Sequence, residues 1–185
     1  GRELEAPTGA DASPFTVEEI LRLSNAELAS RMKEFKSERT WGGKTVDGFA
    51  TTLKDAVKID PNKFTDNLKP FEGVGFIYIY KILEGLKDTW VEKKVINWGK
   101  VFEFIESYIK KEQFWSDEFI VEKGEWRGSA DHEWVVNMIA YLIQEGTKDD
   151  SWAFSEEYFE KAKEIIFFLL KEPEEDKDIS DYVTH

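Results

Sequence analysis

The residues of this chain whose types and spacing invite chemistry each stand in a pattern that lacks a partner. His132-Glu133 opens like the helical zinc-protease motif, in which a second histidine one turn later closes on the metal, but that position is Val136. One ligand on a helix face leaves a tetrahedral zinc site incomplete. The only other histidine is His185, at the end of the chain, which reads as a purification-tag remnant. Gly43-Lys44-Thr45 imitates the close of a phosphate-binding loop, yet Glu38 replaces its first glycine and no strand pattern leads into it. Amides alone cannot cradle a phosphate there. Gly73 and Gly75 begin a dinucleotide fingerprint that Tyr78 breaks at the third glycine.

Paired carboxylates such as Glu156 with Glu160, or Asp131 with Glu133, have the groups for acid and base work. With 38 acidic residues in the chain such pairs arise by coincidence, and solvated helix faces account for them. No serine stands in a glycine-flanked elbow, and no plausible histidine base remains once the two are discounted. Zero cysteines exclude thiolate chemistry and disulfides. We therefore assign no catalytic, cofactor-binding or metal-ligating residue, and expect the segment itself not to be an enzyme.

The elements that would position any site are helical throughout. Thr16 with Glu19, and Ser24 with Glu27, are capping boxes that open two successive helices, with Ile20, Leu21 and Leu23, then Leu28, Met32 and Phe35, as their apolar sides. From Val46, the positions Phe49, Leu53, Ala56 and Val57 make one face of a third helix, which Asp60-Pro61 stops and restarts because proline suits a first helical turn. Phe64 and Leu68 are the buried side of that next, shorter helix. After a break at Pro70 to Gly75, the run Phe76 to Leu86 is apolar almost all round; a buried strand competes, but the continuing period favours helix. Asn97 caps a helix carrying Val101, Phe102, Ile105, Tyr108 and Ile109 on one stripe. Residues 112–128 have no clear period and read as a long loop with a short helical turn. Ser129 is placed to cap a helix through Gln144, with Trp134, Val135, Met138, Ile139 and Leu142 inward and Gly146 ending it in a left-handed conformation. Ser155 starts the last helix, with Phe159, Ala162, Ile166, Phe167 and Leu170 toward the core.

The net charge of −13 is localised: residues 1–60 sum to −2, residues 61–111 to +2 and residues 112–185 to −13. Such a surface repels phosphate backbones and anionic lipid, so direct nucleic-acid and membrane binding are disfavoured and a basic protein partner fits better. No apolar run approaches the roughly 20 residues of a membrane helix. The start of the chain lacks a basic and apolar signal pattern, and a cytoplasmic location is expected. Among the seven tryptophans, most read as plugs between helices; Trp115 and Trp126, with Phe119 in the same unexplained segment, are the contact surface the sequence nominates for a partner.

The order of segments carries a resemblance. Leu23-Ser24-Asn25-Ala26-Glu27-Leu28, Gly48 to Phe64 with its Asp60-Pro61 joint, Tyr78 to Leu86, and Ile96-Asn97-Trp98 through Tyr108 together resemble a helical-repeat region of very large bacterial signal-transducing NTPases of the STAND type, linked to phage defence. The resemblance covers roughly residues 14–185, rests on aliphatic and aromatic positions rather than chemistry, and is better in the N-terminal half than over residues 112–135. It implies an all-α, HEAT-like α-solenoid segment of stacked antiparallel helix pairs, about seven or eight helices, excised from a larger protein that supplies any NTPase activity. The expected organisation is a tag remnant or flexible linker over 1–13, one helical domain over 14–171, and an acidic mobile tail or lead into a missing helix over 172–185. The expected function is a non-catalytic scaffold or protein-recognition segment, contacting a protein partner or neighbouring domains of its own chain and needing no cofactor. A free-standing acidic inhibitor that mimics DNA in a basic groove, carried by residues 112–185, is the alternative.

Overall fold

The computed structural model describes residues 12–121 and 129–176, with the backbone alone for 172–176. All named elements among them are helical, and the one extended contact is an isolated parallel bridge between Ala12 and Lys44. The helices are α1 (Val17–Arg22), α2 (Asn25–Glu34), α3 (Val46–Ile59), α4 (Pro61–Thr65), α5 (Phe76–Val91), α6 (Trp98–Ile109), α7 (Glu112–Trp115), α8 (His132–Thr147) and α9 (Phe159–Asp176). Tighter 3₁₀ turns lie at Lys69–Gly73, Asp150–Trp152 and Glu156–Tyr158.

The helix starts follow from local chemistry. Both capping boxes are formed: the Thr16 hydroxyl accepts from the Glu19 amide at 3.1 Å and that glutamate accepts from Thr16 N at 2.9 Å, with the same exchange between Ser24 and Glu27. Asp60 ends α3 and, through its carboxylate, takes the Lys63 amide of α4, with Pro61 in the first turn. Asn97 accepts from Lys100 N to open α6. The apolar run from Phe76 is helix, as its period required, and it buries Phe76, Tyr78, Ile79, Ile82, Leu83 and Leu86.

Helix α5 is central, packed against α3 on one side and α8 on the other. Helix α1 lies on α3, α2 against the Lys69–Gly73 turn, and α6 against α9. Phe49 of α3 meets Tyr78 of α5 edge-on at 5.3 Å and is flanked by Phe15 and Phe35. Each such aromatic pair contributes about 0.5–1.5 kcal/mol beyond its burial. The start of α2 is stapled to the end of α4 by buried Asn25, whose amide donates to the carbonyls of Lys63 and Asn67 at 3.1 and 2.8 Å. The Lys63 carbonyl belongs to the unsatisfied end of a short helix and the Asn67 carbonyl to the turn after it, so a side-chain donor does there what a further helical turn would have done.

Four sequence expectations are corrected in the C-terminal half. Asp131, not Ser129, caps α8, its carboxylate accepting from the amides of Glu133 and Trp134. Gly146 does not end that helix in a left-handed conformation; it lies within α8, with Phe154 and Trp98 against the place a side chain would occupy. Trp134 stands 39% exposed rather than inward. The core side of α9 is Ala162, Ile165 and Leu169, while Phe159, Phe167 and Leu170 face solvent. Over 172–185, where an acidic mobile tail or the lead into a missing helix was expected, the α9 backbone continues to Asp176, and residues 177–185 lie outside the described residues.

Candidate functional site

Trp115 and Phe119, two of the three residues nominated for partner contact, fold back onto the core. Trp115 ends α7, is only partly exposed, and donates its indole N–H to the Ile109 carbonyl at 2.7 Å; its ring meets Phe114, His132 and Phe168. Phe119 packs between Phe76 and Tyr108 while its carbonyl takes the first amide of α5, Phe76 N, at 2.8 Å. Both rings therefore seal the junction of α5, α6 and α8. Trp126 lies outside the described residues.

The same junction holds a pairing that sequence reasoning missed. Asp117 has a positive φ of 59°, and one carboxylate oxygen accepts both the His132 backbone N–H at 3.1 Å and contacts ring Nδ1 at 2.7 Å. An aspartate orienting a histidine is part of a hydrolytic triad, but here the carboxylate also satisfies an orphan amide in the first turn of α8, a favourable place for negative charge. Its evident task is to fasten the turn after α7 to α8. A separation of 15 residues hides such a pair from local motif reading.

The other motif fragments resolve into local structure. Around Gly43-Lys44-Thr45 the chain closes on itself: Glu38 N donates to the Lys44 carbonyl at 2.7 Å, and the Lys44 amide donates to the Glu38 carboxylate at 3.0 Å. The position an anion would take is filled by a carboxylate of the same turn. Gly75 sits where Val121 presses against its α-carbon, the close packing expected of a loop glycine. Glu156 and Glu160 are both exposed, and Asp131 is engaged as a cap. Trp90, Trp98 and Trp152 form one cluster, Trp90 stacked on Trp152 at 4.4 Å and edge-on to Trp98 at 5.2 Å, so these indoles are packing material.

Two surface features remain. A cleft of about 310 Å³ lies between the Leu68–Glu72 turn and α6, floored by Leu68 and Phe104 and rimmed by Lys69, Glu72, Lys100 and Glu103. Its rim mixes both signs of charge and selects no ligand class. The second feature is the outer face of α9. Phe159, Phe167 and Leu170 are 43%, 62% and 64% exposed. At 3.6 residues per turn they fall within an arc of about 80°, with Lys163 between them, centred roughly 120° around the helix from the buried Ala162, Ile165 and Leu169. Large side chains gathered on one exposed arc mark an interaction surface more than scattered ones do.

Helix α9 is held to the body by charge as well as by that inner face. Lys161 Nζ bonds both carboxylate oxygens of Glu106 on α6, at 2.8 and 3.0 Å. This hydrogen bond holds the Glu106 carboxyl below the usual carboxylate range, against a smaller opposing effect of burial. Lys161 is thereby turned toward α6, away from the outer arc. No helix among the described residues is long and apolar enough to cross a membrane. No family model, curated protein or solved structure matches this chain.

Proposed function

We propose that this chain is a non-catalytic helical scaffold or protein-recognition segment of a larger multidomain bacterial protein. The observation that carries the reading is the outer face of α9: a helix whose inner side is part of the core yet whose outer side keeps Phe159, Phe167 and Leu170 in solvent. Exposed rings of that kind are covered by protein in the working state, either a neighbouring domain or a separate partner. The succession of α3 on α5 and α5 on α8, with α6 against α9, suits a HEAT-like stack in which each helix pair buries its apolar side on the next. The resemblance to helical-repeat regions of STAND-type signal-transducing NTPases points the same way and supports a role in ligand sensing or signal relay for phage defence. Under this reading the activity belongs to the whole protein and the segment supplies contact area.

The test is the reading frame on both sides of the segment. Continuation into further helical repeats and a nucleotide-binding domain with an intact phosphate loop supports the scaffold. A start codon near Gly1 and a stop after His185 refutes it and favours a free-standing acidic inhibitor.

A further inference from the structure

We infer that the outward face of α8 holds a proline-rich segment of a partner protein in the polyproline II conformation. The inference rests on the protein-recognition reading above and adds a second face, together with the backbone form of what it takes. Between Trp134 and Thr147 the exposed residues of α8 are Trp134, Asn137, Ala140, Tyr141, Gln144 and Thr147, none of them charged. The chain as a whole is 34% charged, and a solvated surface is ordinarily about a quarter to a third charged. Nearly four helical turns without an exposed charge therefore suit an uncharged ligand. The charges at its edges pair among themselves, Lys81 with Glu84 at 3.0 Å and Glu145 with Lys148 at 2.9 Å.

Spacing selects the backbone of the ligand. Trp134, Asn137, Tyr141 and Gln144 share an arc of about 80° at 3.6 residues per turn, and the two aromatics are about 10.5 Å apart along the axis. A polyproline II helix returns to the same face every third residue, about 9.3 Å on. An extended strand returns every second residue, at about 6.8 or 13.6 Å, and misses the pair. An α-helix matches the spacing, but its backbone is bonded to itself and leaves the Asn137 and Gln144 amides without backbone partners. Polyproline II has no internal hydrogen bonds, so its carbonyls are open to those amides, to the Trp134 indole N–H and to the Tyr141 hydroxyl. Among the described residues these four groups take part in no hydrogen bond. Trp134 stands edge-on to half-buried Tyr80 of α5, at 5.3 Å and 68°, so the rings make a corner that seats a proline ring rather than a flat platform on which a sugar stacks.

The experiment titrates the whole 185-residue chain into fluorescein-labelled decaproline, read by anisotropy, with a labelled Gly-Ser peptide of equal length as control. Cellohexaose, followed by tryptophan fluorescence, represents the glycan alternative. The expected result is saturable binding of decaproline with a Kd below about 1 mM, and none of the Gly-Ser peptide. Binding should weaken by about tenfold or more in Tyr141→Ser and in Trp134→Ala. It should change by less than about twofold between about 50 and about 300 mM salt, because no ion pair is made. Tyr141 is 56% exposed, so circular dichroism of its variant should match the parent. Asn137→Asp provides a second test, since it keeps the size and replaces an amide donor by a carboxylate that repels carbonyls. Absence of decaproline binding, binding undiminished in these variants, equal binding of the Gly-Ser peptide, or binding that falls with salt overturns the inference. Cellohexaose binding that Tyr141→Ser abolishes, without decaproline binding, gives the face to a glycan and also overturns it. None of these outcomes decides the scaffold reading, which the flanking reading frame tests separately.

Discussion

Gly146 is the position where two opposed effects of one methyl group can be weighed. An alanine Cβ there would lie 2.7 Å from Phe154 Cδ2 and Trp98 Cη2 and 2.9 Å from Phe154 Cε2, where carbon atoms prefer about 3.5–4.0 Å. The rings would have to withdraw by nearly 1 Å by that measure. They have little room: both are 3% exposed, Trp98 is wedged against Trp90 and Phe102, and the Phe154 amide is bonded to the Gly146 carbonyl at 2.8 Å. Overpacking of this kind costs about 1–3 kcal/mol, and alanine returns up to about 1 kcal/mol over glycine in a helix. We expect Gly146→Ala to lose about 1–2 kcal/mol and, for a chain of this length, about 2–8 °C in Tm. Gly99→Ala is the control: its nearest neighbours would be at 3.5 Å, an ordinary contact, so it should gain about 0.4–1 kcal/mol. Urea unfolding and thermal melts followed by circular dichroism measure both. Gly146→Asn separates crowding from backbone strain, because asparagine tolerates the left-handed conformation that the sequence suggested but is bulkier than alanine. A Gly146→Ala protein more stable than its parent, or an asparagine variant milder than the alanine one, would refute the reasoning.

Other perturbations test separate contacts. Asn25→Ala strips the donors from the Lys63 and Asn67 carbonyls and should cost about 2–3 kcal/mol in urea unfolding, with Asn25→Asp no better because it offers carbonyls another acceptor. Asp117→Ala should lose about 1–2 kcal/mol, from two hydrogen bonds and a left-handed backbone, whereas Asp117→Asn, which keeps an acceptor and tolerates that φ, should stay close to the parent. Glu106 has its carboxyl depressed by Lys161, so its contribution is present above the unfolded carboxylate value and is lost as pH falls through the lower folded value. Glu106→Gln should therefore flatten the acid limb of a Tm-against-pH curve, and an unchanged limb would discount the pair.

What could be read from sequence was whatever a few neighbouring residues decide. Thr16 with Glu19, Ser24 with Glu27, and Asp60-Pro61 act within one helical turn, and the stripes of α3 and α6 alternate apolar with polar residues clearly enough to set their phase. The phase of α9 was not legible because Ile165 to Leu170 is six apolar residues in succession, so the period carries no direction; docking on α6 chose Ile165 and Leu169 and turned Phe167 and Leu170 out. Ser129 and Asp131 are both competent caps, and the burial of Val135, Met138 and Leu142 fixed the start two residues later. The partner surface was sought at Trp115 and Phe119 because their segment lacked period, yet the indole N–H and a backbone carbonyl gave each a structural task that only long-range contacts reveal.

The place of α5 between α3 and α8 also governs how the molecule opens. With Phe49 pressing on Tyr78 from one side and α8 closing the other, neither neighbour can leave without baring part of α5 to water. We expect the amides of α5 to exchange with solvent only through an opening close to complete unfolding, while the outer helices exchange through smaller ones, which native-state hydrogen exchange would measure.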